Sequence, residues 1–170
     1  MKKLFALMLA LCLMCSVAMA ETATEINWAD VEAAAAEING VFVPIDLGLQ
    51  VWAPADYLMM TELNEEYTNL GIYALIANED LSGAIALQYV EANGASVEEC
   101  VANIPGAKDA DPMVINGLEC VNFDMPSMDA TCLAFGTEKG NLFVISFMPM
   151  SNTDFAAKAT IMMASLSMAE

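Results

Sequence analysis

The chain has 170 residues, 58% of them hydrophobic, and sets 23 Asp and Glu against five lysines, with no arginine and no histidine, for a formal net charge of −18. So few cations cannot neutralise phosphates, and an anionic bilayer would repel the chain. Nucleic acid and membrane surfaces are therefore excluded, and any charged partner is expected to be cationic. Without histidine, neither a Ser-His-Asp nor a Cys-His arrangement can be built.

Lys2 and Lys3 precede an apolar run from Leu4 to about Val17, and Ala18-Met19-Ala20 supplies the small-x-small pattern of a signal-peptidase site before Glu21. The run is shorter than the roughly 20 residues that cross a bilayer. A signal peptide over residues 1–20, cleaved after Ala20, and a secreted or extracytoplasmic location are expected, with no membrane attachment of the mature form. Cys12 and Cys15 follow Leu11 and Met14 rather than the small residue a lipobox needs, so no lipid anchor is expected. The mature chain would keep three lysines against 23 carboxylates, a formal charge of −20. That excess keeps an apolar-rich protein soluble, and the remaining length suits one domain with its own core.

Residues 21–26 read as a short leader. From Asn27, an N-cap with Asp30 at N3, the positions Trp28, Val31, Ala35 and Ile38 follow one helical face until Asn39-Gly40 ends it. Val41 to Ile45 and Leu49 to Ala53 read as strands around Asp46-Leu47-Gly48, with Pro44 confining the first to an edge. Tyr57 to Asn69 fits either a short helix or a loop. Ile72 to Ala77 and Ala84 to Val90 form a hairpin across Asn78 to Gly83. Ser96 opens a capping box with Glu99, and Val97, Cys100, Val101 and Ile104 keep helical spacing until Pro105-Gly106. A short strand over Met113 to Ile115 precedes Asn116-Gly117. Strands Leu118 to Phe123, Thr131 to Phe135 and Leu142 to Phe147 follow, and a last helix begins near Thr153 with Phe155, Ala159, Met162 and Leu166 on one face. Short hairpins without βαβ alternation predict an α+β fold: an antiparallel sheet of about six or seven strands with helices on its faces. Residues 21–40 would be leader and helix, and 41–170 a single α/β sandwich domain.

Three segments carry a resemblance to a known family: Leu49-Gln50-Val51-Trp52-Ala53-Pro54, Ile115-Asn116-Gly117-Leu118, and the closing helix ending in Ser165-Leu166. With the order of elements they resemble the PsbP-like α/β sandwich, as it occurs in small exported bacterial proteins of unknown role. The resemblance implies a sheet covered by helices on both faces and binding or assembly roles, with no shared catalytic residues. This chain lacks the basic residues that PsbP-like proteins use against acidic partners, so no binding site carries over.

The groups left for chemistry are carboxylates, hydroxyls, thiols and three lysines. Cys100 lies beside the apolar face of its helix and reads as packing. Cys120 and Cys132 fall on adjacent strands, and a hairpin centred near Pro126 would set them opposite each other, which makes them a candidate disulfide. Asp109-Ala110-Asp111 begins like a calcium loop but has Val114 at position 6 and Cys120 at position 12, so a solvated loop is expected. No phosphate-binding glycine loop occurs. Of the ten mature methionines, the helical ones read as core. Met125, Met128, Met148 and Met150, at turns and strand ends, are the candidate interface residues. The expectation is an exported, non-enzymatic binding or accessory protein for an unidentified protein or cationic ligand, with no catalytic residue, cofactor or metal. The competing class is a carboxylate-dependent hydrolase or metal-dependent enzyme, which would need a deep pocket with two or more convergent Asp or Glu.

Overall fold

Strands such as Leu142–Phe147 are apolar at every position but Ser146, so they require cover on both faces of their sheet. The computed structural model, which describes residues 23–169, supplies that cover. The expected signal peptide and cleavage after Ala20, like Cys12 and Cys15, lie outside the described residues.

The strands are β1 (Thr24–Ile26), β2 (Gly40–Pro44), β3 (Leu49–Pro54), β4 (Leu58–Met60), β5 (Ile72–Ala77), β6 (Ala84–Glu91), β7 (Lys108–Ile115), β8 (Leu118–Met125), β9 (Ala130–Gly136), β10 (Asn141–Met148) and β11 (Ser167–Met168). The helices are α1 (Glu32–Ala35), α2 (Glu65–Asn69), α3 (Val97–Ala102) and α4 (Thr153–Ala164). Eight strands form one sheet in the order β1-β7-β8-β9-β10-β6-β5-β4, and β11-β3-β2 form a second. The fold is α+β as expected, but the large sheet is mixed: β1 pairs with β7 in parallel, Thr24 opposite Met113. The leader thus becomes an edge strand. A three-residue strand that finds its partner some 90 residues away leaves no local signal, and β4 and β11, of three and two residues, are too short to show a periodicity of their own.

Alternation along β10 divides the core. Phe143, Ile145 and Phe147 face α4, α1 and the small sheet, among Val51, Trp52, Phe155, Ala159 and Met162. Leu142 and Val144 face the other side, where α3 and its Val101 pack with Val121, Phe123 and Cys132. A third, smaller cluster of Ile72, Leu75 and Ala86 sits under α2. The helices α3 and α4 start where the sequence places them. Ser96 and Glu99 exchange the two hydrogen bonds of a capping box at 3.2 and 3.1 Å, and the Asn152 side chain accepts from the amides of Asp154 and Phe155. The first helix is shorter than its periodicity predicts. A 3-10 turn over Trp28–Asp30 breaks at Val31 before α1 begins, yet Val31 and Ala35 are buried on the expected face.

One residue ties the layers together. Asn116, at φ 49° in the tight turn between β7 and β8, accepts from the Trp28 amide at 2.6 Å and donates to the carbonyls of Ala164 and Leu166, both at 2.8 Å. It joins the leader, the hairpin and the end of α4. Among the described residues no helix is long and apolar enough to cross a membrane.

Candidate binding site

The chemistry expected of the cysteines does not assemble. In the β8–β9 ladder Phe123 pairs with Cys132 and Met125 with Ala130, so the hairpin is centred between Ser127 and Met128 rather than at Pro126. The register is three residues away from the one that would pair Cys120 with Cys132. An odd shift moves a side chain to the other face. Cys120 therefore lies in the α4-side core and Cys132 in the α3-side core, both buried and free, and the candidate disulfide is corrected to two separate thiols. Burial pushes the Cys120 thiol up to about 12 and the Cys132 thiol up to about 11, the latter against an opposing contact with Ser146 Oγ at 3.3 Å. Neither is a nucleophile at neutral pH. Cys100 is half-buried against the α3-side core, with Sγ 3.6 Å from the Ala92 carbonyl.

The methionines are also redistributed. Met125, Met128 and Met148 are half-buried against the α3-side core and Met150 against the α4-side core, so none of the four stands clear of the surface. The exposed ones are Met59 and Met60 on β4 and Met168 on β11. Asp109 and Asp111 lie exposed on β7 across a bulge between Lys108 and Asp111. Among the described residues no three His, Cys, Asp or Glu side chains converge as a metal site would require.

What the fold does assemble is an aromatic row. Phe143 pairs with Tyr89 on β6 and with Phe135 on β9, which sets three rings on adjacent strands of one face. Tyr73 on β5 extends the row because a bulge between Ile72 and Ala74 turns it toward Tyr89. The two tyrosine rings stack with centroids 5.6 Å apart and planes 17° from parallel, and Tyr89 leans on Phe143 at 5.2 Å. Such ring pairs contribute about 0.5–1.5 kcal/mol beyond their buried area. Both phenols donate to Asp46 Oδ2, Tyr73 at 2.8 Å and Tyr89 at 3.1 Å. Burial, then the bond to Asp46, holds both tyrosines above their ordinary pKa, so both are neutral donors at physiological pH.

Asp46 reaches them from the β2–β3 turn, where Leu47 is left-handed at φ 61° and Gly48 at φ 69°. The turn is held from the other end by the Ala169 amide, which donates to the Gly48 carbonyl at 2.7 Å. Between this turn and the β9–β10 hairpin lies an open cleft of about 690 Å³, lined by Leu47, Tyr89, Gly136, Thr137, Glu138, Lys139 and Asn141. Tyr89 remains 42% exposed as its floor. The arrangement offers an aromatic surface, a carboxylate and an ammonium. It offers no base–nucleophile pair.

None of these residues stood out in the sequence as a site. Tyr73 and Tyr89 read as members of apolar strands, and Asp46-Leu47-Gly48 as turn chemistry. The available signal was two tyrosines, aromatics with a polar tip, on paired strands, and the bulge that aligns them has no sequence signature.

No protein-family model matches the chain, and no curated protein matches it. Among solved structures the chain is similar to cyanobacterial PsbP (CyanoP) from Synechocystis sp. PCC 6803, with a TM-score of 0.48 and 9% identity over 76% of this chain and 92% of that one. This is the family that the order of elements resembles. The likeness assigns no residue of this chain a role.

Proposed function

We propose that the chain is an exported binding or accessory protein that holds a cationic ligand in the Tyr89 cleft without turning it over. The observation that carries the reading is the exposed Tyr89 ring, fixed through its phenol on Asp46 and faced by the hairpin that bears Glu138. An aromatic face attracts a cation, by about 0.5–1 kcal/mol at exposed sites and more when desolvated, and a nearby carboxylate adds to it. The negative field of the whole chain steers cations toward the surface and anions away. Lys139 opposes the same ligand from the hairpin, which makes the sign of the charge at the cleft testable. Export rests on the order of charged start, apolar run and Ala18-Met19-Ala20.

Calorimetric titration with spermidine as the probe tests the reading. Saturable binding is expected that weakens with salt, falls several-fold in Tyr89→Leu and Glu138→Gln, and tightens in Lys139→Ala. Equal affinity in all three variants would remove the cleft from the reading. Turnover in a broad hydrolase screen, abolished by replacing one or two carboxylates, would replace it with an enzyme. A secreted protein whose intact mass still includes residues 1–20 would refute cleavage after Ala20.

A further inference from the structure

The large sheet has two edges, and only one is protected. Natural edge strands carry charges, prolines or bulges because their unpaired main-chain groups recruit other strands. At one edge, β1 carries Glu25, and in the small sheet β2 ends in Pro44. At the other edge β4 is Leu58-Met59-Met60, without charge, proline or bulge, and it pairs only with β5, through Leu58–Ala77, Met59–Ile76 and Met60–Leu75. All three side chains are exposed, at 69%, 43% and 38%. Their directions alternate. Leu58 and Met60 share the face of Leu75 and continue the small cluster under α2, while Met59 shares the face of Ile76 and continues the α4-side core. Both apolar faces of the sheet therefore run past the last strand.

The ends of β4 are acidic. Asp56 precedes it and Glu62 follows it, both exposed, and the β5–β6 turn beside its start carries Glu79 and Asp80. Asp56 and Asp80 both act on Tyr57, whose phenol is pushed up to about 12, mainly by burial. The cation at this end is Lys158, whose amine lies 5.9 Å from the centre of the Tyr57 ring. A second copy of this chain would bring the same carboxylates together along the new edge, and like charges opposed across a strand pair destabilise it.

We propose that β4 is a docking edge for an extended segment of a partner protein in which apolar residues alternate with Lys or Arg, added as a ninth strand. Its backbone would satisfy the free edge, its apolar side chains would cover Leu58, Met59 and Met60, and its cations would meet Asp56, Glu62 and Asp80. The short strand allows only a few ladder bonds, so the charges set the partner. None of the cleft residues takes part.

The test is a titration of the protein with the peptide Lys-Val-Lys-Val-Lys-Val-Lys, followed by backbone amide NMR. Binding is expected to shift the amides of β4 and β5, to weaken with added salt, and to disappear for the Glu-for-Lys peptide and for a peptide N-methylated along its pairing edge. In the double variant Leu58→Lys, Met60→Lys it should weaken at least tenfold, whereas Tyr89→Leu should leave it unchanged. Shifts elsewhere, equal binding of the N-methylated peptide, or no binding at millimolar peptide would overturn the proposal. A dimer of the protein alone that is lost in the double variant would also overturn it, by making a second copy the occupant.

Discussion

Replacing Asn116 by Ala should destabilise the fold by about 3 kcal/mol, because one side chain serves three elements at once. Its carbonyl oxygen accepts from Trp28, and its amide donates to Ala164 and Leu166. Each such bond contributes about 0.5–1.5 kcal/mol net, and a partner left unsatisfied in a part-buried site adds to the loss. The backbone contributes separately. Asn tolerates the left-handed conformation that residue 116 adopts at φ 49°, whereas Ala loses roughly 1 kcal/mol there. For a domain of this size 1 kcal/mol moves Tm by about 2–4 °C, so Asn116→Ala should melt roughly 6–12 °C lower. Asn116→Asp keeps the acceptor and the backbone preference but turns a carboxylate toward two carbonyls, so it should lose most of the same stability. Asn116→Gly loses the bonds but not the backbone preference, so it should lose about 1 kcal/mol less than Ala. Urea denaturation of the three variants measures this directly. If Asp behaved like the unchanged protein, or if Ala cost less than about 1 kcal/mol, the interlayer bonds would not be what Asn116 provides.

Two further perturbations follow from packing and from buried thiols. A Cβ at Gly40 would lie 2.2 Å from the Trp52 ring and 2.7 Å from the Ala53 carbonyl, so Gly40→Ala should cost about 1–3 kcal/mol by displacing the Trp52 indole, with a changed Trp fluorescence maximum as the marker. An unaltered spectrum and stability would show that the small sheet yields freely. Cys120 and Cys132 keep their protons in the fold to about pH 12 and 11, whereas in the unfolded chain they ionise near their ordinary value of about 9. The unfolded state therefore binds fewer protons above pH 9, so stability is full below that pH and falls as pH rises toward 11–12, by at most about 1.4 kcal/mol per pH unit for each thiol. Urea midpoints at pH 8 and 10.5 should show the fall, and the double variant Cys120→Ala, Cys132→Ala should remove most of it. The part that remains would come from Tyr57, Tyr73 and Tyr89, all held above their ordinary pKa. A fall of the same size in the double variant would exclude the thiols as its cause.

The fold was legible where its signals are local. The capping box at Ser96, the Asn78–Gly83 turn and the apolar face of α4 depend on residues a few positions apart, and each is where the sequence places it. The order of the sheet was less so. β6 and β10 lie side by side although some 50 residues separate them, and only the shared burial of both strands decides their pairing. The short strands β1, β4 and β11 are fixed by the partner they meet, and a segment of two or three residues has too little periodicity to announce itself.

The same distinction explains which methionines reach the surface. Turn position alone suggested Met125, Met128, Met148 and Met150 as an interface, but the turns they occupy fold back onto the sheet. Asp129 shows how. Its carbonyl accepts from the Met150 amide at 2.8 Å, and its carboxylate accepts from the Ser151 amide at 3.0 Å and from the Ser151 hydroxyl, drawing the β8–β9 turn and the β10–α4 link together over the methionines. Of the apolar side chains left outside, Val41, Phe42, Leu58, Met59, Met60 and Met168 lie on edge strands, where burial ends because the strands run out, while Leu47, Leu70 and Leu81 lie in turns. For the methionines, exposure follows from place in the strand order more than from place in a turn. Tyr89 departs from that pattern: β6 lies inside the large sheet, and the ring is open to solvent because a cleft lies between the turn at Asp46 and the β9–β10 hairpin.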